Sequence, residues 1–312
     1  MIRGTTSLFK HKMADFCAPG QKKDSYTCYS HNALRKISER YAQKTGKRIP
    51  EGELSKKELH SWLETQFAGR CTTEYCWLEQ PETRDYEMLY EYFRPEFPNE
   101  WKNDIHTWLN TDDIANVMKQ YERKFPDFLF FGPVPVDCPI EWECELTHFN
   151  PVKSGYKRFG IVFNLDKHNQ SGSHWVALWI SLPEQKIEYF DSYGIRPPAL
   201  IRQFMEKVIE QTKKEGYEIV PSYNKHRFQY GGSECGVFSM YFLIEKLHGK
   251  DVQNDMPTDE LMTKMRKYLY RPNSNMKQEG ATIPTQKLPD VKQMGGTKNK
   301  NKNKNKTKNK NK

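Results

Sequence analysis

The chain has 312 residues, of which 36% are hydrophobic and 13% aromatic, and a formal net charge of +9. This length allows one large or two small domains with a buried core. Residues 298–312 contain eight lysines and no acid, so subtracting eight from the net charge of +9 leaves +1 for the rest. A generally basic nucleic-acid-binding fold is therefore not indicated. We also expect no membrane-spanning helix and no secretory signal, and hence an intracellular protein.

The first hundred residues predict a small helical module, over 1–100. One helix is predicted over 30–44, with Ser30 as the N-cap and Leu34, Ile37 and Tyr41 along one face. A second is predicted over 55–67. Pro95 and Pro98 mark the boundary of this module.

The second region, 101–272, mixes helix and strand patterns. A helix is predicted over 106–122 and a strand over 161–165. Residues 175–182 are apolar on both faces, which is typical of a buried central strand, and a short turn joins them to a strand at 186–190. Further elements are predicted in the rest of this region: helices over 197–214, 235–248 and 258–270 and a strand over 219–223.

The last region, 273–312, is polar and ends in a repeat of Lys and Asn, so we expect it to be disordered. The tail at 298–312 has three interpretations: a solvated end, a nonspecific contact with nucleic acid, or a nuclear address. Gly295-Gly296 lies in the same region and is a candidate site of self-cleavage.

The seven cysteines are an odd number without dense spacing, so free thiols in a reducing compartment are expected rather than a disulfide scaffold. Cys71 with Cys76, and Cys138 with Cys144 and His148, could be zinc ligands. Structural zinc sites favour tighter pairs, and we therefore expect no metal.

The segment Gln229-Tyr-Gly-Gly-Ser-Glu-Cys235-Gly236 places a cysteine at the start of an apolar helix. The N-terminus of a helix carries partial positive charge and free N–H groups, which favour a thiolate there. A buried cysteine that begins a core helix is common, however, so this segment alone only suggests a nucleophile.

The predicted hairpin adds a histidine and a carboxylate. His174 precedes its first strand and Asp191 follows its second, so both residues lie at one edge of the sheet. A general base held by a carboxylate needs this arrangement. Each residue alone is equally compatible with a polar strand end or a turn; together with Cys235 they indicate catalysis.

These motifs resemble the ubiquitin-like-protein (SUMO-specific) protease family, whose fold the adenovirus-type maturation proteases share. His174-Trp175, Asp191 and Gln229 with Cys235-Gly236 follow the family's order and spacing, and Trp108-Leu-Asn is similar to its upstream motif. The resemblance covers about residues 104–250. It implies an α+β, papain-like (adenain-type) core with a central mixed sheet flanked by helices, preceded here by a helical extension.

The resemblance also implies roles. Cys235 is the expected nucleophile, His174 the base and then the acid, and Asp191 the residue that orients His174. Gln229 and the Cys235 N–H are expected to form the oxyanion hole. Trp108 and Trp175 would flank a groove for Gly-Gly, unless both are ordinary core residues. This chemistry requires no cofactor.

The substrate is less defined. The layout is most similar to the proteases of large cytoplasmic DNA viruses, of the African swine fever virus type, which implies cleavage of structural polyproteins at Gly-Gly-X in the virion and host cytoplasm. The alternative within the enzyme class is removal of SUMO or another ubiquitin-like modifier. The alternative of another class is a catalytically idle module tethered to nucleic acid.

Overall fold

A computed structural model describes residues 16–21, 24, 26–252 and 255–272. The predicted tail at 273–312 and its Gly295-Gly296 pair lie outside these residues. The disorder of the tail and the self-cleavage at Gly295-Gly296 therefore remain predictions from the sequence.

The first hundred residues contain four helices within the described part of the chain: α1 (His31–Thr45), α2 (Lys56–Phe67), α3 (Glu74–Trp77) and α4 (Tyr86–Tyr92). The predicted N-cap at Ser30 is confirmed, and Ser55 caps α2. The Ser30 side chain accepts a hydrogen bond from the Ala33 N–H, and Ser55 forms a capping box with Glu58. These helices bury an aromatic cluster of their own, which includes Tyr29 and Phe93.

The remaining elements form a five-stranded sheet and its helices. They are a 3-10 turn (Asn99–Lys102), α5 (Thr111–Lys124), β1 (Phe128–Pro135), β2 (Arg158–Asn164), β3 (Trp175–Ser181), β4 (Lys186–Phe190), α6 (Ala199–Lys213), β5 (Val220–Tyr223), α7 (Cys235–Leu247) and α8 (Asp259–Leu269). The strand order is β1-β2-β3-β4-β5. The β2–β3 and β3–β4 pairs are antiparallel and the two outer pairs are parallel, so the predicted mixed sheet and hairpin are confirmed.

Side chains of β3 alternate between two apolar cores. Ala177 and Trp179 pack in one core with α5 and α7, whereas Val176 and Leu178 pack in the other with α6. All seven residues of the strand are buried, as the double-sided apolar pattern predicts. The central strand is thus fixed from both faces, and its N-terminal end carries His174.

Helices α3 and α4 are not predicted from the sequence. Elements α5 and β1 also differ from the prediction. The helix predicted over 106–122 begins only at Thr111, because the Asn110 side chain caps it by accepting from the Asp113 N–H. Trp108 therefore lies on the preceding loop. Strand β1 was not predicted, since Gly132, Pro133 and Pro135 interrupt its apolar pattern; proline is tolerated there because β1 is an edge strand.

The expectation of free thiols is wrong for six cysteines. Disulfides join Cys17 to Cys28, Cys71 to Cys76 and Cys138 to Cys144, with Cα atoms 5.3, 5.6 and 5.5 Å apart. Each pair is 11 residues apart or closer, so local turns bring the two sulfurs together. Cys235 is the free cysteine, and it is buried.

Candidate active site

The β3–β4 hairpin brings His174 and Asp191 together, as the sequence predicts. Ala177 pairs with Phe190 in the register, so the residues beyond each strand end lie at one edge. His174 Nε2 lies 2.8 Å from Asp191 Oδ1. His174 is 8% exposed and Asp191 is fully buried, so the contact is shielded from water.

The His174 ring has hydrogen-bond partners on both sides. Besides Asp191 it bonds to the side chain of Cys235. Burial lowers the pKa of His174, but the hydrogen bonds to Asp191 and Cys235 and the charge of Cys235 outweigh it and raise the pKa to about 9. The histidine is therefore protonated at neutral pH.

Asp191 is itself held in place by backbone and amide contacts. Its N–H donates to Asn224 Oδ1 at 2.9 Å, and Asn224 Nδ2 donates to its carbonyl at 2.6 Å. The Tyr193 N–H donates to Asp191 Oδ1 at 2.8 Å. The Tyr193 ring stacks on His174 with centroids 4.6 Å apart. Tyr193 thus contacts both Asp191 and His174 and helps to fix the two side chains.

Gln229 is buried at the same edge. Its Oε1 accepts from Ser192 Oγ at 2.6 Å, and its Nε2 donates to the Gly231 carbonyl at 2.9 Å. Nε2 also donates to Tyr193 Oη at 3.5 Å. This long hydrogen bond is the weaker of the two, so a stronger acceptor could displace it. The side chain is held rigidly beside the turn that follows Asp191, which is the environment that a preorganised donor needs.

Cys235 is the first residue of α7 and is 2% exposed. The next residue is Gly236, and the start of α7 here packs against the loop at 103–110, which carries Trp108 and is called the tryptophan loop below. A Cβ at that position would lie 3.2 Å from Leu109 Cδ1 and 3.3 Å from Trp175 Cδ1. Any larger residue would push Cys235 and these side chains apart.

The two predicted groove tryptophans have different environments. The Trp108 side chain is 48% exposed, whereas Trp175 is 7% exposed and belongs to the core that packs on α7. The Trp175 Nε1 donates to the Leu109 carbonyl at 3.0 Å. Trp175 is therefore a core residue, whereas Trp108 is not. The hydrogen bond from Trp175 links strand β3, which follows His174, to the loop that carries Trp108.

The candidate zinc ligands do not form a site. Cys71, Cys76, Cys138 and Cys144 are consumed by disulfides, and His148 faces Glu143 at 3.7 Å on the surface. Within the part of the chain that the structure describes, no group of three or more His, Cys, Asp or Glu side chains could hold a metal ion. No helix there is long and apolar enough to cross a membrane.

Several supporting residues were not predicted. Ser192, Tyr193 and Asn224 contact the predicted side chains directly, and Glu234 with Arg266 supports the loop before Cys235. The motif Asp191-Ser-Tyr-Gly194 is a visible turn signal for two of them. Arg266 is 32 residues from Glu234, and no local pattern relates them.

Comparison with known proteins gives consistent results. The model of the Ulp1 protease family, C-terminal catalytic domain, matches residues 161–280. A protein of Acanthamoeba polyphaga mimivirus that carries the name of a thiol protease is 31% identical over 302 residues, covering 87% of this chain and 98% of that protein. A cysteine protease of African swine fever virus is 25% identical over 248 residues, covering 69% and 88%.

The fold also matches a solved structure. The crystal structure of the African swine fever virus protease aligns with a TM-score of 0.61 at 23% identity, over 83% of this chain and 96% of that one.

The family match and the relatives define the class of the protein: it is a cysteine protease, a hydrolase, with an α+β fold. The identity to the mimivirus protein extends along nearly the whole chain. The chain therefore belongs to the Ulp1 protease family.

Proposed function

We propose that the protein is an endopeptidase that cleaves after Gly-Gly in viral structural polyproteins during virion maturation, within the virion and the host cytoplasm. The observation that carries the proposal is the buried His174, which lies 2.8 Å from Asp191 and whose pKa is raised by both Asp191 and Cys235. The viral relatives support the biological setting.

The proposed reaction is acyl transfer. The Cys235 thiolate attacks the carbonyl carbon of the second glycine, and the carbonyl oxygen becomes an oxyanion that accepts from Gln229 Nε2 and the Cys235 N–H. The His174 imidazolium then gives its proton to the leaving amine as the C–N bond breaks, which leaves a thioester. Water, deprotonated by His174, attacks the thioester, and the C–S bond breaks. This releases the carboxylic acid, which gives its proton to solvent, and restores the Cys235 thiolate beside the protonated His174.

The preference for glycine is proposed from the tryptophan loop. The Trp175 indole lies against the start of α7 and donates to the Leu109 carbonyl, and Trp108, the exposed neighbour of Leu109, is proposed as the second wall of the groove. A substrate residue between them has little room for a side chain. Steric exclusion of this kind selects glycine by penalising other residues.

Removal of a ubiquitin-like modifier is the second candidate function. The African swine fever virus relatives include proteins named SUMO-1 cysteine protease, at 24% identity. A modifier protease needs a surface for a folded domain in addition to the groove, whereas a polyprotein protease needs only an extended peptide.

The test compares a fluorogenic Gly-Gly-X peptide, matched Ala-Gly-X and Gly-Ala-X peptides, and a SUMO conjugate. We expect cleavage of Gly-Gly-X with kcat/KM at least about 100-fold above either alanine peptide, since a misplaced acyl group costs about this much. Equal cleavage of all three peptides would contradict the Gly-Gly groove. Turnover of the conjugate without turnover of the peptide would favour the second function.

The tail at 298–312 supports a separate proposal of nonspecific contact with nucleic acid, which would retain the protease near nucleoprotein. Eight lysines on duplex DNA give a log–log salt slope of up to about −7. Deleting 298–312 should flatten this slope and leave peptide cleavage unchanged; an unchanged slope would remove the proposal.

A further inference from the structure

The loop between Gln229 and Cys235 is held by one face of α8. Asp259 Oδ2 accepts from the N–H groups of Tyr230 and Gly231, at 2.8 and 3.1 Å. Asp259 opens α8, and its contacts fix the two residues directly after Gln229.

Glu234, the residue before Cys235, is buried at 2% exposure and is held by the same helix. Its Oε1 accepts from Thr263 Oγ1 at 3.0 Å, and its Oε2 accepts from Arg266 Nε at 2.6 Å. His106 Nδ1 lies 3.2 Å from Oε1. The Ser233 hydroxyl also donates to Oε1, at 3.1 Å. Four side chains therefore determine where this carboxylate, and with it the start of α7, is placed.

Arg266 is fully buried and spans two loops. Besides Glu234, its guanidinium donates to the Thr107 carbonyl at 2.8 Å and to the Ser233 carbonyl. Thr107 and Ser233 directly precede Trp108 and Glu234. The planar, permanently charged guanidinium of Arg266 thus sets the distance between the loop that carries Trp108 and the loop at 230–234 that precedes Cys235.

Apolar packing does not hold this loop. An open cavity of about 590 Å³ lies between residues 231–234 and α8. A Cβ added at Gly231 would meet one atom of Asp259 at 3.9 Å, and one at Gly232 would meet nothing within 4 Å. The position of the loop therefore depends on hydrogen bonds. The Gly231 carbonyl accepts from Gln229 and Tyr193. The other bonds come from Asp259, Thr263 and Arg266, whose spacing of four and three residues places them on one helical face.

We propose that Arg266 is a positioning residue that aligns Cys235 with Trp108 by holding Glu234, Ser233 and Thr107. It does not touch the reacting atoms. The proposal rests on the proposed function of Cys235 as the nucleophile. A displacement of about 1 Å at a nucleophile can cost about 100-fold in rate, so the loss of this group should be visible in catalysis.

The test compares Arg266→Met and Arg266→Lys with Lys267→Met, which removes the adjacent exposed charge from the same helix. Two quantities are measured: kcat/KM on the Gly-Gly-X peptide per alkylatable Cys235, and the pH profile of Cys235 alkylation by iodoacetamide. We expect Arg266→Met to lower kcat/KM at least about 10-fold and to shift the alkylation profile, Arg266→Lys to recover part of both, and Lys267→Met to match the wild type.

A residue that serves stability alone would reduce the amount of folded protein but leave both quantities unchanged per alkylatable site; that result would overturn the proposal. If Arg266→Met does not fold, Thr263→Val removes a single bond to Glu234, and an unshifted alkylation profile in that variant would overturn the proposal too. If the wild type alkylates at Cys235 but does not cleave the peptide, the proposed substrate is wrong, and the alkylation profiles still decide the role of Arg266.

Discussion

At the scale of single residues, the chemistry depends on the charge state of His174. Burial alone would favour a neutral ring, yet Asp191 is fully buried 2.8 Å away and Cys235 bonds to the other side. A carboxylate and a thiolate on either side of one imidazole favour its protonated form. The ring therefore holds a proton at neutral pH, and the proposed mechanism transfers this proton to the leaving amine.

The pH dependence of activity follows from this state. The pKa of His174 is raised from 6.5 to about 9, so the ring stays protonated through neutral pH and loses its proton as the pH passes about 9. We expect kcat/KM on the Gly-Gly-X peptide to fall in that alkaline range. Asp191→Asn removes the negative charge and should move the alkaline limb to lower pH.

The control for this prediction is Asp251→Asn, an exposed carboxylate, which should leave the limb in place. An alkaline limb at the same pH in wild type and Asp191→Asn would contradict the role of Asp191. By the same linkage, the charged ring stabilises the folded state below pH 6.5, and this contribution is lost as the pH rises through about 9.

The central residues could be predicted from the sequence because a hairpin has simple geometry. Two strands joined by a short turn place His174 and Asp191 side by side whatever surrounds them. The supporting contacts could not be predicted in this way. Glu234 meets Arg266, and Asp191 meets Asn224, only because separate elements converge, and no periodicity in the chain encodes that convergence.

At the scale of elements, α7 is fixed to the sheet near both ends. Its first residue is Cys235, and near its last turn Lys246 forms a buried ion pair with Glu188 of β4. The two side chains are 4% and 3% exposed. The helix that carries Cys235 is therefore attached to the β3–β4 hairpin, which positions His174.

Breaking this pair should destabilise the fold. Lys246→Met leaves the Glu188 carboxylate buried without its partner, which costs about 3–5 kcal/mol. We expect a loss of this size in the free energy of unfolding, measured by urea denaturation. Lys264→Met is the matched control, because its partner Glu260 is 76% exposed and such surface pairs contribute about 1 kcal/mol or less.

The prediction would be contradicted if Lys246→Met and Lys264→Met lost the same small amount of stability. A second replacement, Glu188→Gln, in the Lys246→Met background should restore part of the loss, since it removes the unpaired charge.

Elements with strong patterns were predicted and interrupted ones were not. Helix α1 begins directly after its predicted cap, Ser30, and α2 lies within the predicted range 55–67. Strand β1 contains Gly132 and two prolines, so its apolar residues do not read as a strand. This strand is stabilised by pairing with β2, which lies outside the short stretch of sequence from which a strand at 128–135 would be predicted.

At the scale of the whole molecule, α8 connects the active-site loop to the segment that follows the N-terminal helices. Arg271, two residues beyond the end of α8, lies 3.4 Å from Glu79 and 3.6 Å from Glu96, and its N–H donates to the Pro95 carbonyl at 2.9 Å. The same helix holds the loop before Cys235 from Asp259 in its first turn to Arg266 in its last. The contacts of α8 and Arg271 therefore link residues before 100 to the loop that precedes Cys235.

The disulfides show the limit of composition as a guide. Cysteine count and spacing favoured free thiols, but turns within the N-terminal region and after β1 bring three pairs together. Proximity in the fold decides disulfide formation, and spacing alone does not report it. The pairings leave Cys235 as the free thiol, in agreement with the chemistry proposed for it.

The most direct test of the account is reaction with a Gly-Gly-vinyl-sulfone peptide, read by intact mass, on wild type, Cys235→Ala and His174→Ala. The account predicts one adduct on the wild type, none on Cys235→Ala and a rate reduced by at least about 100-fold on His174→Ala, because the base is lost. An adduct of equal yield on Cys235→Ala, or no adduct on folded wild type, would contradict the assignment of Cys235 as the nucleophile of a Gly-Gly protease.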